Sequence, residues 1–187
     1  MITSKKELKE YLKLDKEALY PNFRFVNNFN ANWKIQKKLR KAEYVYNSKF
    51  FPKIYKMYVL FRFKKLCEKY TMSIPLNVFG PGLAIVHIGQ IMINNNCKIG
   101  KNFRVQSGVV IGATSGSSDS PIIGNNVYVA SGAKIFGGIR IVDNVAIGAN
   151  AVVVKDINEV GTYGGVPAKK ISNNDSSKHI NVTYLDK

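Results

Sequence analysis

Cysteine and histidine are nearly absent. Cys67 and Cys97 are the two thiols and His87 and His179 the two imidazoles of 187 residues. Two thiols exclude a disulfide scaffold and a four-cysteine zinc site, and their scarcity suits a reducing compartment. Two imidazoles exclude a three-histidine zinc site within one chain, and with it a hydratase that depends on one, so no metal is expected. There is no run of about 18 uncharged apolar residues, so no transmembrane helix is expected. Met1-Ile2-Thr3-Ser4-Lys5-Lys6 leads into charge rather than an apolar stretch. A secretory leader is therefore not expected, and a cytoplasmic location is.

Acidic residues are also scarce: 12 Asp and Glu stand against 28 Lys and Arg, a net charge of +16. Residues 1–73 hold 18 basic and 6 acidic side chains, net +12, which leaves +4 for residues 74–187. Such a surface favours anionic partners. Aromatic residues Tyr44, Tyr46, Phe50 and Phe51 are interleaved with the basic residues of 34–69, a pattern that single-stranded nucleic acid would suit. Lysine-rich helix faces are most often simply solvated, so no nucleic-acid partner is expected. With 45% apolar residues the chain can bury a core.

The first 73 residues read as helices. Ser4-Lys5-Lys6-Glu7 is a capping box, followed by Leu8, Leu12 and Leu19 at helical spacing and a stop at Tyr20-Pro21-Asn22. A second helix is expected from Ala31 to Tyr46, with Ile35, Leu39 and Ala42 inward and Lys34, Lys37, Lys38 and Lys41 outward. A third runs from Pro52 or Lys53 to Tyr70. Its two apolar faces, Ile54-Met57-Tyr58-Phe61 and Val59-Phe63-Leu66-Tyr70, predict burial against protein on both sides, or protein on one and lipid on the other.

From residue 75 to 157 the period is six. Ile93, Ile99, Val105, Ile111, Ile123, Val129, Ile135, Ile141, Ile147 and Val153 form one β-branched column, broken only at position 117. Small or apolar residues recur four places later, from Cys97 through Ile157. Turn chemistry recurs with them: Asn94-Asn95-Asn96, Lys101-Asn102, Asn125-Asn126 and Asp143-Asn144. Six-residue units of one short strand and one turn make a parallel β-helix whose anchors stack into an apolar column. Such a stack needs capped ends, and the helices can supply one. The break, Ala113 to Pro121, predicts a loop leaving the wall and returning at Ile122-Ile123, where sites tend to gather. His87 falls six residues before Ile93 and is expected to occupy an anchor slot. Histidine is the side chain able to act as a neutral base near pH 7.

The hexads, the loop and the ending Gly164-Gly165-Val166-Pro167-Ala168-Lys169-Lys170-Ile171 resemble the hexapeptide-repeat acyltransferases. His87-Ile88-Gly89-Gln90-Ile91-Met92-Ile93 through Gln106-Ser107-Gly108-Val109-Val110-Ile111-Gly112 is similar to the serine acetyltransferase branch. The helical region is most like the polysaccharide-modifying members. The resemblance covers residues 74–171 and implies a left-handed β-helix, a homotrimer, acetyl-CoA as co-substrate and active sites between subunits. With the residue patterns it gives three parts: an α-helical N-terminal region 1–73, an acyltransferase domain 74–171 with a protruding loop 113–121, and a tail 172–187 whose polar composition leaves His179 solvated.

By the same resemblance His87 is the catalytic base, Gly112, Ala113, Ser131 and Ala149 line the groove for the pantetheine arm, and Gly165 and Lys169 contact CoA. Lys155 is added on charge alone. The pattern departs from serine acetyltransferases at three places. Val86 replaces an aspartate before the histidine, Asp119-Ser120 replaces an arginine-histidine pair, and Met72 replaces an aspartate that orients the imidazole. These losses favour a sugar or polysaccharide-precursor hydroxyl as acceptor, with serine O-acetylation or amino-sugar N-acetylation as alternatives. The cysteines, at inward positions, are not expected to carry an acyl group. The surplus of cations on residues 1–73 leaves two readings: helices packed on the trimer with their lysines solvated, or weak, salt-sensitive association with the inner face of the cytoplasmic membrane.

Overall fold

The computed structural model describes residues 1–21 and 30–181; Asn22 of the helix stop, and tail residues 182–187, lie outside the described residues. Three helices come first: α1 (Lys5–Leu19), α2 (Ala31–Asn47) and α3 (Lys53–Lys69). The capping box forms as the sequence predicts, with Ser4 accepting from the Glu7 amide and Glu7 accepting from the Ser4 amide at 2.9 Å.

Among the described residues fourteen short strands follow: β1 (Met72–Ser73), β2 (Ala84–Ile85), β3 (Ile91–Ile93), β4 (Lys98–Ile99), β5 (Arg104–Val105), β6 (Val110–Gly112), β7 (Ile122–Ile123), β8 (Tyr128–Val129), β9 (Lys134–Phe136), β10 (Arg140–Ile141), β11 (Val145–Ile147), β12 (Val152–Val153), β13 (Gly161–Gly164) and β14 (Lys169–Ser172). They build three faces of a parallel β-helix, in the orders β1-β3-β6-β9-β12, β4-β7-β10 and β2-β5-β8-β11-β13-β14, with β14 alone antiparallel. Consecutive coils are 18 residues apart where Ile93 faces Ile111 and Ile135 faces Val153. They are 24 apart where Ile111 faces Ile135, because the loop after Gly112 intervenes.

The anchor column from Ile93 to Val153 is buried throughout. Asn102, Asn126 and Asn144 take the left-handed conformation at one corner and link side chain to side chain, Asn102 to Asn126 at 2.8 Å and Asn126 to Asn144 at 2.9 Å. Stacking at the corners is tight enough to require glycine: a Cβ on Gly100 would meet the backbone carbonyl of Gly124 at 2.7 Å. At the C-terminal end the period contracts, and Ile157 pairs with Ile141 as an anchor, not as the fourth residue of a hexad.

One expectation needs correction. His87 is not an anchor: Ile85 faces Val105 in that column, and eight residues separate Ile85 from Ile93. The corner is two residues longer than the others, so His87 projects outward and is exposed. Within the chain the third helix is buried on one side, which leaves its second apolar face for another copy or for lipid. Val59, Phe63 and Cys67 pack inward, whereas Ile54, Met57, Tyr58 and Phe61 are 81%, 60%, 56% and 57% exposed.

The open end of the β-helix explains the helices. Each coil bonds to the next through its backbone, and the first coil, residues 77–86, has a neighbour on one side only. Unpaired buried amides and carbonyls are costly. A stripe of polar side chains on α2 meets them. Asn32 donates to the Val86 carbonyl. Gln36 donates to Leu83 O at 2.8 Å and accepts from Ile85 N at 2.7 Å, as a strand would. Arg40 donates to Phe79 O and Gly80 O, and Glu43 accepts from Asn77 N. From α1, Asp15 accepts from Gly82 N and Leu83 N, both at 2.9 Å. Ile35, Leu39 and Ala42 are buried beside this stripe, as the sequence predicts.

Candidate functional site

The corner between β2 and β3 is where the sequence places its candidate catalytic histidine. Val86 N donates to Val105 O at 3.0 Å, which holds the chain to the coil below, and Gly89 turns it with φ 143°. Between them the imidazole of His87 faces solvent with no described hydrogen bond to either nitrogen. Met72, where the resemblance has an orienting aspartate, is buried in the core. Ser131 and Ala149 occupy the same corner two and three coils on, both exposed, joined through Asn150 N to Ser131 O at 3.0 Å.

Gly112 and Ala113 lie at the other edge of the same face. With Ser73, Pro75, Met92, Asn94 and Phe136 they line a groove of about 540 Å³. Parallel strands run from the His87 corner to this edge, and five residues of near-extended chain, as from Gly108 to Ala113, span roughly 15 Å. The face between carries Met92, Val110, Lys134 and Val152 in register. Lys134 donates to the Gly108 carbonyl at 2.5 Å. The sequence reading passed over this cation, although a lysine in an outward hexad slot of the central face was visible.

The loop that follows Gly112 is exposed from Thr114 to Asp119 and returns through buried Ser120 to β7. Asn96 tethers it by donating to Ser118 O at 3.2 Å. Lys155 is exposed in the turn after β12. Gly165 accepts from Val152 N at 3.0 Å, which lays the Gly165–Ala168 turn beside β12, and Lys169 begins β14, exposed. A single chain therefore does not bring the nominated residues together. His87, Ser131 and Ala149 share one corner, while Gly112, Ala113 and Lys155 share another.

Neither thiol is exposed to a substrate within the chain. Cys67 and Cys97 are buried, and burial pushes both up to about 11, so the thiolate is scarce near pH 7. Among the described residues no group of three or more His, Cys, Asp or Glu side chains is placed to hold a metal ion, and no helix is long and apolar enough to cross a membrane.

The tail after β14 is tied down as far as Asn181, with His179 exposed as expected. Ser176 is buried, donating through its hydroxyl to Asn126 O and through its amide to Asn144 O. His179 stacks on Tyr128 at 4.5 Å between ring centroids, and Asn181 donates to Ala18 O at the end of α1.

No family model matches the chain. Ninety residues are 40% identical to a serine acetyltransferase of Staphylococcus aureus, a match covering 47% of this chain and 42% of that protein. A serine acetyltransferase of Staphylococcus xylosus is 36% identical over 117 residues, 60% of this chain and 54% of its own. The chain thus spans about half the length of the curated relatives it matches. In fold it matches the solved serine acetyltransferase of Brucella abortus with a TM-score of 0.72 and 23% identity, over 92% of this chain and 72% of that one. The enzyme from Neisseria gonorrhoeae gives 0.75 and 22%, over 98% and 73%.

At these identities the solved structures establish the fold: N-terminal helices leading into the left-handed β-helix. The comparisons overturn the preference for a sugar hydroxyl and for the polysaccharide-modifying branch. The relatives, in sequence and in fold, are serine acetyltransferases.

Proposed function

We propose that the chain is an acetyl-CoA-dependent O-acetyltransferase whose acceptor is the hydroxyl of serine. The single observation that carries this reading is the 90-residue stretch 40% identical to a serine acetyltransferase. His87 is the general base. It removes the hydroxyl proton as the oxygen attacks the thioester carbonyl, an assistance worth about 10²–10⁴-fold. The tetrahedral oxyanion is met by backbone N–H groups fixed at the coil edge. Collapse breaks the carbon–sulfur bond, and the imidazolium returns its proton to the departing CoA thiolate. Burial of both thiols supports direct transfer over an acyl-cysteine route.

The donor lies in the 540 Å³ groove, its pantetheine arm against Gly112 and Ala113 and its phosphates toward Lys155, Lys169 and the Gly165 turn. Ser131 and Ala149 line the opposite wall, supplied by another copy. This arrangement is a homotrimer with each site between subunits, and its support is the placement of His87 and the groove on opposite edges of one face. Val86, Asp119 and Ser120 carry none of the charges that the resemblance uses to hold serine, so the amino and carboxylate groups are met elsewhere, with Lys134 on the intervening face as the nearest cation by register.

The test is direct. Purified protein with acetyl-CoA and L-serine should give O-acetylserine with a KM at or below about a millimolar, the usual upper range for enzymes. Absence of product at saturating serine, while another acceptor releases CoA, overturns the assignment.

The exposed face of α3 supports a further, weaker association. Ile54, Met57 and Phe61 lie among Lys53, Lys56, Arg62, Lys64 and Lys65, a pairing of apolar and cationic groups complementary to an anionic lipid surface.

A further inference from the structure

Of the polar stripe on α2, one member reaches the candidate catalytic corner. Asn32, Gln36, Arg40 and Glu43 follow one another at intervals of four, four and three, and so share one helix face. Gln36, Arg40 and Glu43 meet backbone groups within the first coil. Asn32 meets the last of them, the carbonyl of Val86, and that carbonyl belongs to the peptide that enters His87. Val86 N is already committed to Val105 O at 3.0 Å. With the amide on one side of Val86 and the carbonyl on the other both bonded, the Val86–His87 peptide plane has one orientation.

Beyond that plane the corner is two residues longer than its counterparts, and its next fixed point is Ile88, half-buried against the core. The imidazole has no described hydrogen bond of its own. Its direction therefore comes from the backbone behind it.

We propose that Asn32 is a positioning residue: its side-chain amide, held on α2 against the Val86 carbonyl, fixes the peptide that carries His87 and so aims the imidazole. The catalytic half of this inference rests on the reading of His87 as general base. The helical region then does more than close the β-helix, because it sets the geometry of the reacting corner.

Two variants test it. Asn32→Ala removes the donor. Asn32→Asp removes it with little change of shape and suits the first turn of a helix, which guards against simple misfolding. Gln36→Ala, one turn along, is the control: it loses stability but leaves the Val86 carbonyl bonded. With serine and acetyl-CoA, both Asn32 variants should lose about tenfold or more in kcat, approaching the roughly 10²-fold that a misplacement of about 1 Å costs, with both KM values within about twofold.

The second readout needs no turnover. The chain has two histidines, so NMR spectra of protein with labelled imidazoles contain two sets of ring signals, assignable with His179→Gln. In both Asn32 variants the His87 signals should shift or broaden while those of His179 hold. Unchanged His87 signals, or a rise in KM with kcat preserved, overturns the proposal. If the wild-type protein transfers no acetyl group, the functional reading fails by itself, and the imidazole signals still decide whether Asn32 fixes His87.

Discussion

Arg40 and Asp15 form an ion pair at 2.8 Å with neither side chain exposed. The pair is not isolated. Asp15 also holds the Gly82 and Leu83 amides, and Arg40 also holds Glu43 and the carbonyls of Phe79 and Gly80. Burial by itself works against the Arg40 cation, but Asp15 and Glu43 outweigh it and hold the guanidinium protonated. Removing one partner leaves a buried charge and open backbone groups. Arg40→Ala should therefore cost about 3–5 kcal/mol in urea unfolding. The double variant Arg40→Met, Asp15→Leu should recover part of the loss and not all, because four backbone groups stay unmet. A single-variant loss under about 1 kcal/mol would show that the end coil is held by packing alone.

Glu7 gives a pH signature. Hydrogen bonds from Thr3, and then from Ser4, hold its carboxyl down at about 2, below its ordinary 4.5. A depressed carboxyl contributes stability above its unfolded value and loses it as pH falls toward its folded one. The Tm of Glu7→Gln should lie below wild type at pH 6, and the gap should close between pH 4.5 and 2. A gap independent of pH would assign the loss to shape and not charge.

The two thiols should be silent in the folded protein. With both pushed up to about 11 by burial, a disulfide reagent at pH 8 should label native protein slowly and unfolded protein at two equivalents. Cys97→Ala should keep acetyl transfer within about threefold, since direct transfer needs no thiol. Loss of turnover without loss of fold would restore the acyl-cysteine route.

The proposed sharing of sites between copies predicts complementation. His87→Ala should fold and lose at least about 10² in kcat, the low end for a general base. Ala113→Trp should block the groove. Refolded together in equal amounts, the two inactive variants should regain about a quarter of wild-type activity, the fraction of mixed interfaces with one intact corner and one intact groove. No recovery, in oligomers shown to be mixed, would place each site within one chain.

The α3 face predicts salt-sensitive binding to anionic phospholipid vesicles and none to neutral ones, with about 1 kcal/mol from each cation near the surface. Phe61→Ser should weaken it. If vesicles of either kind leave the protein in solution and Phe61→Ser instead shifts the oligomeric state, a second copy covers the face.

The β-helix was legible because its physics is local and periodic. One β-branched anchor and one turn every six residues leave little else for residues 93–153 to do, and the helices announced themselves by caps and apolar spacing. His87 was found through its neighbours in sequence, but its place was misread. Counting in sixes cannot register two inserted residues, and only pairing between coils shows that Ile85, not His87, faces Val105. The role of α2 was hidden for a different reason. Gln36, Arg40 and Glu43 look like a solvated face in any reading by hydropathy, and they are buried because their partners are backbone groups, which every residue has and no sequence displays. The sequence by itself determined the coils and their column; tertiary structure decided how the open coil is closed and which helix stands behind His87. Hydrogen bonds to backbone are blind to residue type, and only the packed chain brings them within reach.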